Sequence, residues 1–457
     1  MKGFIFSILI GISGFVHAQS SLNMTKLGSY TDNSFSIGNP DEKYSAVWGY
    51  TDPAGNEYGI FGSQNFTYFV NVTNGNNPVL VNKFAGVAQN VPWREFKTYS
   101  HYAYGVNDGG DGSLQVFDLQ YLPDSVVKVY DSNLLIKRGH TLYIDNGRLY
   151  NYGGKTNNGS RPTLTILDIA TNPEQPTLLA NYTNPQASYI HDGFIRNDTL
   201  YAFSGFDGLW IYNVANPLSI NIIGEYLSYP AKGYCHSGWL TNDSKYLVMA
   251  DEVPTQLPLK ILDVSDLSNI QYIDTFRSVN PISTPHNPHI KGNLAYVSYY
   301  QDGVQVFDVS NPANVNRVAF YDTYPDGAGD NYYGCWGVYP YFNSGKIIAS
   351  DRKYGLIVMD GTQIPGTGFE ENNVNTKVKV YPSPFNDEIT IVSGSESGTI
   401  DVSLLDMQGR TMVKNQFANL LAEEKHILQV DNKLSRGIYV LRVVSKSGVS
   451  SQKLFKN

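Results

Sequence analysis

The sequence STPHNPHIKGNLAYVSYYQDGVQVFDVSNPANVNRVAFY, residues Ser283–Tyr321, decides the fold of this chain. Aromatic and β-branched residues alternate in four short runs, and each run is bounded by Gly, Asn, Asp or Pro, which predicts four strands. The runs are His286–Lys291, Leu294–Tyr300, Val304–Val309 and Val315–Tyr321. Because a unit of four strands cannot bury both of its faces alone, it needs neighbours of the same kind.

The third run of this unit recurs seven times along the chain, and each copy carries an Asp or Asn near its end. These residues are separated by 47, 50, 45, 50, 45 and 52 positions and are Asn71, Asp118, Asp168, Asn213, Asp263, Asp308 and Asp360. We interpret them as caps of the following turn, since a carboxylate or amide there can accept backbone N–H bonds. The spacing is typical of a β-propeller, so we predict an all-β fold with seven blades.

The seventh unit lacks a fourth strand, because after Asp360 the chain continues into IPGTGFEEN. At the other end of the chain, MTKLGSY, residues Met24–Tyr30, resembles the fourth strand VNRVAFY of the quoted unit. We predict that this N-terminal strand pairs with Gly355–Asp360 and closes the propeller, which leaves no long sheet edge exposed.

Composition and the N-terminus indicate an exported protein. The chain has 33 Lys and Arg against 41 Asp and Glu and shows no basic patch, so nucleic acid is not an expected partner. Residues 1–18 combine Lys2, an apolar segment and small residues up to Ala18, as a secretory signal peptide does. No later stretch is apolar for long enough to predict a transmembrane span. With two cysteines, Cys235 and Cys335, disulfides are not the expected stabiliser.

A candidate site follows from the starts of the first strands, which line the channel of a propeller. Counting back 22 to 28 residues from each repeat Asp or Asn reaches Trp48, Trp93, His140, His191, His236, His286 and Trp336. The loops between second and third strands lie on the same face and bring further polar residues. We predict that this face binds a ligand, a glycan or a peptide, through Trp48, Trp93, Arg94, Asp192, Asn287, Tyr300 and Trp336.

Two interpretations of the histidines stay open. Four imidazoles on consecutive blades, His140, His191, His236 and His286, could hold a transition metal, with Asp251 and Glu252 as oxygen ligands. Alternatively, they pack and hydrogen-bond around ordered water. A calcium cofactor is a weaker hypothesis: Asp108–Ser113 and Asp326–Asp330 are rich in Asp and Gly but lack EF-hand spacing, which favours solvated turns. No motif predicts a catalytic residue.

The segments YIHDGF, YCHSGWLTNDSKYLVMADE and YYGCWGVYPYFNSGKIIASDRKYGLIVMD, together with the quoted unit, resemble the LVIVD-repeat proteins of the choice-of-anchor B family. The resemblance covers about residues 25 to 362. It implies a secreted or surface β-propeller whose biochemical activity is not established.

The C-terminal part differs in composition. Residues 362–377 are rich in Gly, Asn and Glu and predict a linker. Residues 378–457, with VKVYPSPFNDEITI, VSLLDMQGR and LSRGIYVLRV, are similar to the type A C-terminal sorting domain of the type IX secretion system. That resemblance implies a small Ig-like β-sandwich, the secretion machinery as partner, and a route through the inner membrane by the signal peptide and then outward by type IX secretion.

The predicted organisation is therefore a signal peptide at 1–18, a propeller at 19–361, a linker at 362–377 and a sorting domain at 378–457. We expect an exported binding protein of undefined ligand, at the cell surface or secreted. The alternative is a metal-dependent enzyme with a four-histidine site at the mouth of the propeller.

Overall fold

The computed structural model describes residues 20–187, 189–366, 379–392, 398–406, 411–420, 424–431, 434–445 and 448–456. The predicted signal peptide and most of the predicted linker lie outside these residues. The described residues up to 366 form one compact unit, and those from 379 onward form another. Within the described residues, no helix has the length and apolar character needed to cross a membrane.

The first unit consists of antiparallel sheets that follow one another along the chain, and we number them as blades 1 to 7. Blade 1 has the strands Tyr44–Thr51, Glu57–Ser63, Phe66–Asn71 and Val79–Ala85. Blade 2 has Arg94–Tyr99, Tyr102–Asn107, Leu114–Asp118 and Val127–Ser132. Blade 3 has Thr141–Asp145, Arg148–Tyr152, Leu164–Asp168 and Thr177–Tyr182. A short 3-10 helix, Pro40–Glu42, precedes blade 1.

The next three blades repeat this pattern. Blade 4 has the strands Asp192–Arg196, Thr199–Phe203, Leu209–Asn213 and Asn221–Tyr226. Blade 5 has Cys235–Leu240, Tyr246–Asp251, Leu259–Asp263 and Gln271–Phe276. Blade 6 has Pro288–Lys291, Leu294–Ser298, Val304–Asp308 and Asn316–Tyr321, and the short strand Ser21–Leu22 adds to its outer edge.

Blade 7 draws on both ends of the unit. Cys335–Tyr339, Lys346–Asp351 and Gly355–Asp360 form its first three strands, and Thr25–Tyr30 is the fourth. The register pairs Thr25 with Asp360 and Tyr30 with Leu356, in antiparallel sense. The predicted pairing of the N-terminal strand with Gly355–Asp360 is confirmed.

The first strands of blades 1 to 6 lie side by side in order, and the first strand of blade 7 lies between the second strand of blade 6 and the first strand of blade 1. The sheets therefore close on themselves, and the predicted all-β propeller fold is confirmed. Apolar cores fill the spaces between neighbouring blades; one of them joins Ile261 of blade 5 to Phe307 of blade 6. Ile364, which follows the last strand of blade 7, is buried in the core that includes Met24.

The repeat Asp and Asn residues cap turns, as predicted. In every blade the side-chain oxygen accepts a hydrogen bond from the backbone N–H two residues later; Asp308 Oδ1, for example, accepts from Ser310 at 2.9 Å. The same bond is made by Asn71, Asp118, Asp168, Asn213, Asp263 and Asp360. This side chain replaces a backbone partner at the turn, which explains its recurrence without any catalytic role.

The second unit is a sandwich of two antiparallel sheets. One sheet has the strands Lys379–Tyr381, Glu388–Val392 and Lys425–Gln429, and the other has Gly398–Leu405, Thr411–Leu420, Gly437–Ser445 and Gly448–Lys456. Their inner faces share one apolar core, in which Ile389 and Leu428 of the first sheet join Val402 and Leu441 of the second. This agrees with the predicted small sandwich.

Candidate functional site

Four histidines form a continuous row where the first strands of blades 3 to 6 begin. The ring centroids of His140 and His191 are 4.2 Å apart, those of His191 and His236 4.1 Å, and those of His236 and His286 4.4 Å. Trp336 of blade 7 continues the row 4.5 Å from His286. We call these five residues the histidine row. The structure thus brings together the predicted imidazoles and one of the predicted indoles.

Local backbone geometry turns the side chains of the row toward the channel. In blades 5 and 7 the register of the first strand shifts at His236 and at Trp336, so each is the extra residue of a β-bulge. A bulge re-aims a side chain while the ladder continues on either side. His286 lies just before its strand, and its N–H still bonds to Ser298 O at 2.9 Å.

Hydrogen bonds to the next blade fix the tautomer of two of these imidazoles. Nδ1 of His191 lies 3.0 Å from His236 O, and Nδ1 of His286 lies 2.5 Å from Trp336 O. Because a carbonyl oxygen can only accept, Nδ1 carries the hydrogen in both residues. Their Nε2 atoms are then left with a free lone pair in the neutral imidazole.

Burial keeps three imidazoles of the row, those of His191, His236 and His286, uncharged. His191 and His286 are buried, and loss of hydration lowers their pKa well below the usual value for histidine. The same cause, together with the neighbouring His140, lowers the pKa of His236 to about 3. At neutral pH these three imidazoles therefore offer hydrogen-bond acceptors and not positive charge.

Glu252 and Tyr300 complete the site beside the row. Oε2 of Glu252 lies 3.6 Å from His236 Nε2, and Oε1 accepts a 2.5 Å hydrogen bond from the Tyr300 hydroxyl. Tyr300 is buried, and its aromatic ring packs 4.8 Å from that of His286. Its φ of +38° is unusual for a bulky residue and fits a position where the surrounding structure imposes the conformation.

In blades 1 and 2 the structure does not place the predicted tryptophans in the row. Trp48 pairs with Ile60 in the ladder position that His289 occupies in blade 6, and Trp93 precedes its strand and is 40% exposed. By the same register, the positions equivalent to His286 are Ser45 and Arg94. Counting misplaced Trp48 because five residues lie between the paired Thr51 and Glu57 of blade 1, against two between Lys291 and Leu294 of blade 6. It misplaced Trp93 because the paired Tyr102 and Asp118 of blade 2 are 16 positions apart, against 14 for Leu294 and Asp308 of blade 6.

Arg94 was predicted to contact a ligand, but in the structure its side chain is not available to one. Its guanidinium is buried and donates to three backbone carbonyls, to Ser63 O at 2.7 Å, Ala88 O at 2.8 Å and Gln64 O at 3.1 Å. Burial lowers its pKa to about 10. Its role is to tie blade 2 to the last loops of blade 1.

An aromatic layer lies one level deeper in the channel. It contains Trp48, Tyr143, Phe194, Trp239, His289, Tyr339 and Tyr341, with neighbouring centroids between 4.6 and 6.4 Å apart. The ring of His289 packs 4.7 Å from that of Trp239, so His289 is a packing member of this layer. Of these, sequence analysis assigned only Trp48 to the binding site, and at the wrong level.

A small polar cavity of about 40 Å³ separates the histidine row from the aromatic layer. Asp192 and Asn287 line it, so they face the interior of the channel and not the rim. Burial raises the pKa of Asp192 to about 6. Glu95 and Lys97, which form a 2.5 Å ion pair, also line it and were missed by sequence analysis. Their alternation with Arg94 and Phe96 was the signal that could have found them.

Asp251 does not join the imidazoles, contrary to the metal hypothesis. It is fully buried, with Oδ2 2.7 Å from Lys260 Nζ and Oδ1 accepting from the Tyr229 hydroxyl at 3.0 Å. Glu252, one residue later, points into the channel. Adjacent residues at the end of a strand face opposite ways, so only one of the two carboxylates can reach the row.

The buried pair makes a stability prediction. We expect Lys260→Met to lower the free energy of unfolding by about 3–5 kcal/mol, because it leaves the Asp251 carboxylate buried without a counter-charge. Urea unfolding measures this, and Lys260→Met with Asp251→Leu should regain most of the loss. Lys128→Met, which removes a surface pair with Asp131, is the control and should cost less than about 1 kcal/mol. Equal effects of the two lysine variants would contradict the assignment.

The oxygen-rich loops are engaged in other contacts. Asp108 Oδ2 lies 2.8 Å from His140 Nδ1, and Asp111 pairs with Lys137 at 2.9 Å. Asp326 pairs with Lys353 at 2.5 Å and accepts from the Tyr354 hydroxyl. These contacts support solvated turns. Cys235 and Cys335 are both free and buried.

The end of the propeller that holds the row also carries exposed apolar side chains. We call it the mouth face: the first strands begin here, and the loops between second and third strands lie here. Phe206, 63% exposed, packs 5.1 Å from Tyr234, which in turn lies 5.3 Å from His191. Val253 on the neighbouring blade 5 is exposed, and so is Trp93 at the start of blade 2. An apolar surface therefore leads directly to the buried imidazoles.

Comparisons with known proteins agree with these two units. Residues 287–323 match the model of the LVIVD repeat, and residues 379–457 match that of the secretion system C-terminal sorting domain. No curated protein matches the chain. Neither family description names an enzymatic activity, so the metalloenzyme alternative has no support from them.

Solved structures are similar in fold at low identity. The β-propeller domain of Cps50 (Swd1) from Myceliophteria thermophila has a TM-score of 0.50 and 11% identity, over 74% of this chain and 99% of that one. PorZ, a surface component of the type-IX secretion system of Porphyromonas gingivalis, has a TM-score of 0.49 and 11% identity over 93% of this chain. The chain spans 61% of the length of PorZ.

The match to the sorting domain indicates where the protein is delivered. A sorting domain of this kind acts through the type IX secretion machinery, which delivers its cargo to the surface or the medium. The chain is therefore an exported β-propeller protein that contains an LVIVD repeat and carries a type IX secretion C-terminal sorting domain.

Proposed function

We propose that this protein is an exported, non-enzymatic binding protein and that the mouth face is its binding surface. The observation that carries the proposal is the continuity between exposed apolar side chains, above all Phe206, and the buried imidazoles of the histidine row. Exposed aromatics that lead into a concave group of polar atoms are typical of ligand sites.

The chemistry of this surface favours a carbohydrate. Aromatic faces such as Phe206 and Trp93 bury the apolar side of a sugar ring. The imidazole Nε2 atoms, the Glu252 carboxylate and the Asp108 carboxylate accept hydrogen bonds from hydroxyl groups. A peptide is the competing ligand, and the test below separates the two.

We expect the mature full-length protein to bind members of a glycan array, and we expect Phe206→Ala to weaken binding to the best of them by about tenfold. Titration calorimetry measures the affinity. Leu218→Ala is a matched control, because Leu218 is an 84% exposed apolar residue in a loop between third and fourth strands, at the opposite end of the propeller.

Two outcomes would count against the carbohydrate. If the protein binds only peptides, and Phe206→Ala weakens that binding, the mouth face is still the binding surface but the ligand is a peptide and not a carbohydrate. Equal losses in Phe206→Ala and Leu218→Ala would show that the mouth face is not the binding surface.

A further inference from the structure

We propose that His236, His286 and Glu252 form a binding site for a divalent first-row transition metal at the mouth of the channel. The site uses imidazoles and the Glu252 carboxylate that the carbohydrate proposal also names, but its test requires no carbohydrate. Each of them offers one ligand atom, and these atoms lie within 4.8 Å of one another. In the part of the chain that the structure describes, no other group of three or more His, Cys, Asp or Glu residues meets this condition.

The distances are close to those of a metal centre. A tetrahedral ion with bonds of about 2.1 Å holds its ligand atoms about 3.4 Å apart. His236 Nε2 and Glu252 Oε2 are already 3.6 Å apart. The remaining approach requires small side-chain rotations and no movement of the strands.

The surroundings prepare both imidazoles as ligands. Nδ1 of His286 donates to the carbonyl of Trp336, which directs the Nε2 lone pair to the site. Protein ligands of this kind commonly fix their orientation through such a bond to a carbonyl or carboxylate. His236 and His286 are both buried. Neutral imidazole is the form that binds metals.

Tyr300 is a positioning residue for the carboxylate. Its hydroxyl holds Oε1 of Glu252 and leaves Oε2 toward His236. Its left-handed backbone is kept in place by blade 7, where Cys335 N donates to Tyr300 O at 2.8 Å. The carboxylate from blade 5 is thus aimed by a residue of blade 6, which is itself bonded to blade 7.

The ligand set indicates the class of ion. Two imidazoles and one carboxylate suit zinc and its first-row neighbours, whereas calcium and magnesium prefer oxygen ligands alone. Three protein ligands leave at least one coordination position open to a further ligand. His191, whose ring centroid lies 4.1 Å from that of His236, is the nearest further imidazole.

The test uses the mature full-length protein purified without a histidine tag, stripped with a chelator and titrated with Zn²⁺ by calorimetry. We expect one ion per chain. Glu252→Gln, which keeps an acceptor for Tyr300, should weaken affinity by at least about tenfold, and His286→Gln by more. Tyr300→Phe should cause a smaller loss, because it removes the positioning bond and no ligand. Co²⁺ in place of Zn²⁺ should give visible absorption bands that Glu252→Gln changes.

His289→Phe is the matched control, because His289 is a half-buried channel histidine outside the three and other blades have aromatic residues at this position. It should bind Zn²⁺ as the wild type does. Thermal unfolding of each variant separates a lost ligand from a lost fold. The proposal is overturned if the wild type binds no Zn²⁺. It is also overturned if the folded variants Glu252→Gln and His286→Gln bind Zn²⁺ with unchanged affinity, because the ion would then be held elsewhere, for example at His101 or His426. Neither result depends on glycan binding.

Discussion

Deletion of Met24–Tyr30 should lower the free energy of unfolding of the propeller by about 5 kcal/mol and its Tm by about 5–10 °C. The segment supplies the fourth strand of blade 7, so its loss removes the ladder to Gly355–Asp360. It also removes Met24, which is 2% exposed in the apolar core around Ile357 and Met359. Each buried side chain of this size contributes about 1.5–3 kcal/mol, and each ladder bond about 1 kcal/mol.

The neighbouring strand provides the control. Ser21–Leu22 pairs only with the outer edge of blade 6, and both residues are exposed. Deleting Ser20–Leu22 should therefore change the midpoint by less than about 2 °C. Calorimetry of the three proteins makes the comparison. If the loss of Met24–Tyr30 leaves the midpoint unchanged, closure of the propeller does not depend on this strand.

Removal of residues 378–457 should abolish delivery to the surface and the medium and leave the propeller in the periplasm. The propeller does not need the sorting sandwich in order to fold, because the two have different apolar cores. The sandwich has its own core, and the cores of the propeller lie between neighbouring blades. Truncation should therefore cost export and not folding. Fractionation with an antibody to the propeller measures where the protein accumulates.

A full-length Leu218→Ala variant is the export control, because it alters an exposed propeller residue and keeps the sorting domain. It should reach the medium or surface as the wild type does. Thermal unfolding of the truncated chain should reproduce the propeller transition. Export of the truncated chain at the wild-type level would contradict the assignment of residues 379–457 as the address signal.

Much of the fold was predictable because its signals are local and repeated. The seven repeat Asp and Asn residues, the first Asn71 and the last Asp360, each accept a hydrogen bond from a backbone N–H two residues later. They can therefore be recognised in the sequence without knowledge of the fold. The closing strand Thr25–Tyr30 was predictable because its sequence resembles the fourth strand of another blade. The sorting domain carries its own sequence pattern.

The site was predictable in part. Four histidines with nearly equal spacing gave the row in blades 3 to 6. The same counting failed for Trp48 and Trp93, because one hairpin in each of blades 1 and 2 contains more residues than its counterpart in blade 6, and the count then ends at another level of the channel. Arg94 was predicted to contact the ligand, but its guanidinium donates its hydrogen bonds to backbone carbonyls.

By itself, the sequence determined that this chain forms repeated four-strand units closed by an N-terminal strand, and that a sorting module follows. Only the tertiary structure decided which polar groups meet. Asp251 and Glu252 are neighbours in sequence. Asp251 pairs with Lys260 in the interior of the protein, whereas Glu252 contacts His236 and Tyr300 in the channel. The physical reason is that successive side chains of a strand face opposite ways, so a single position of register decides between scaffold and site.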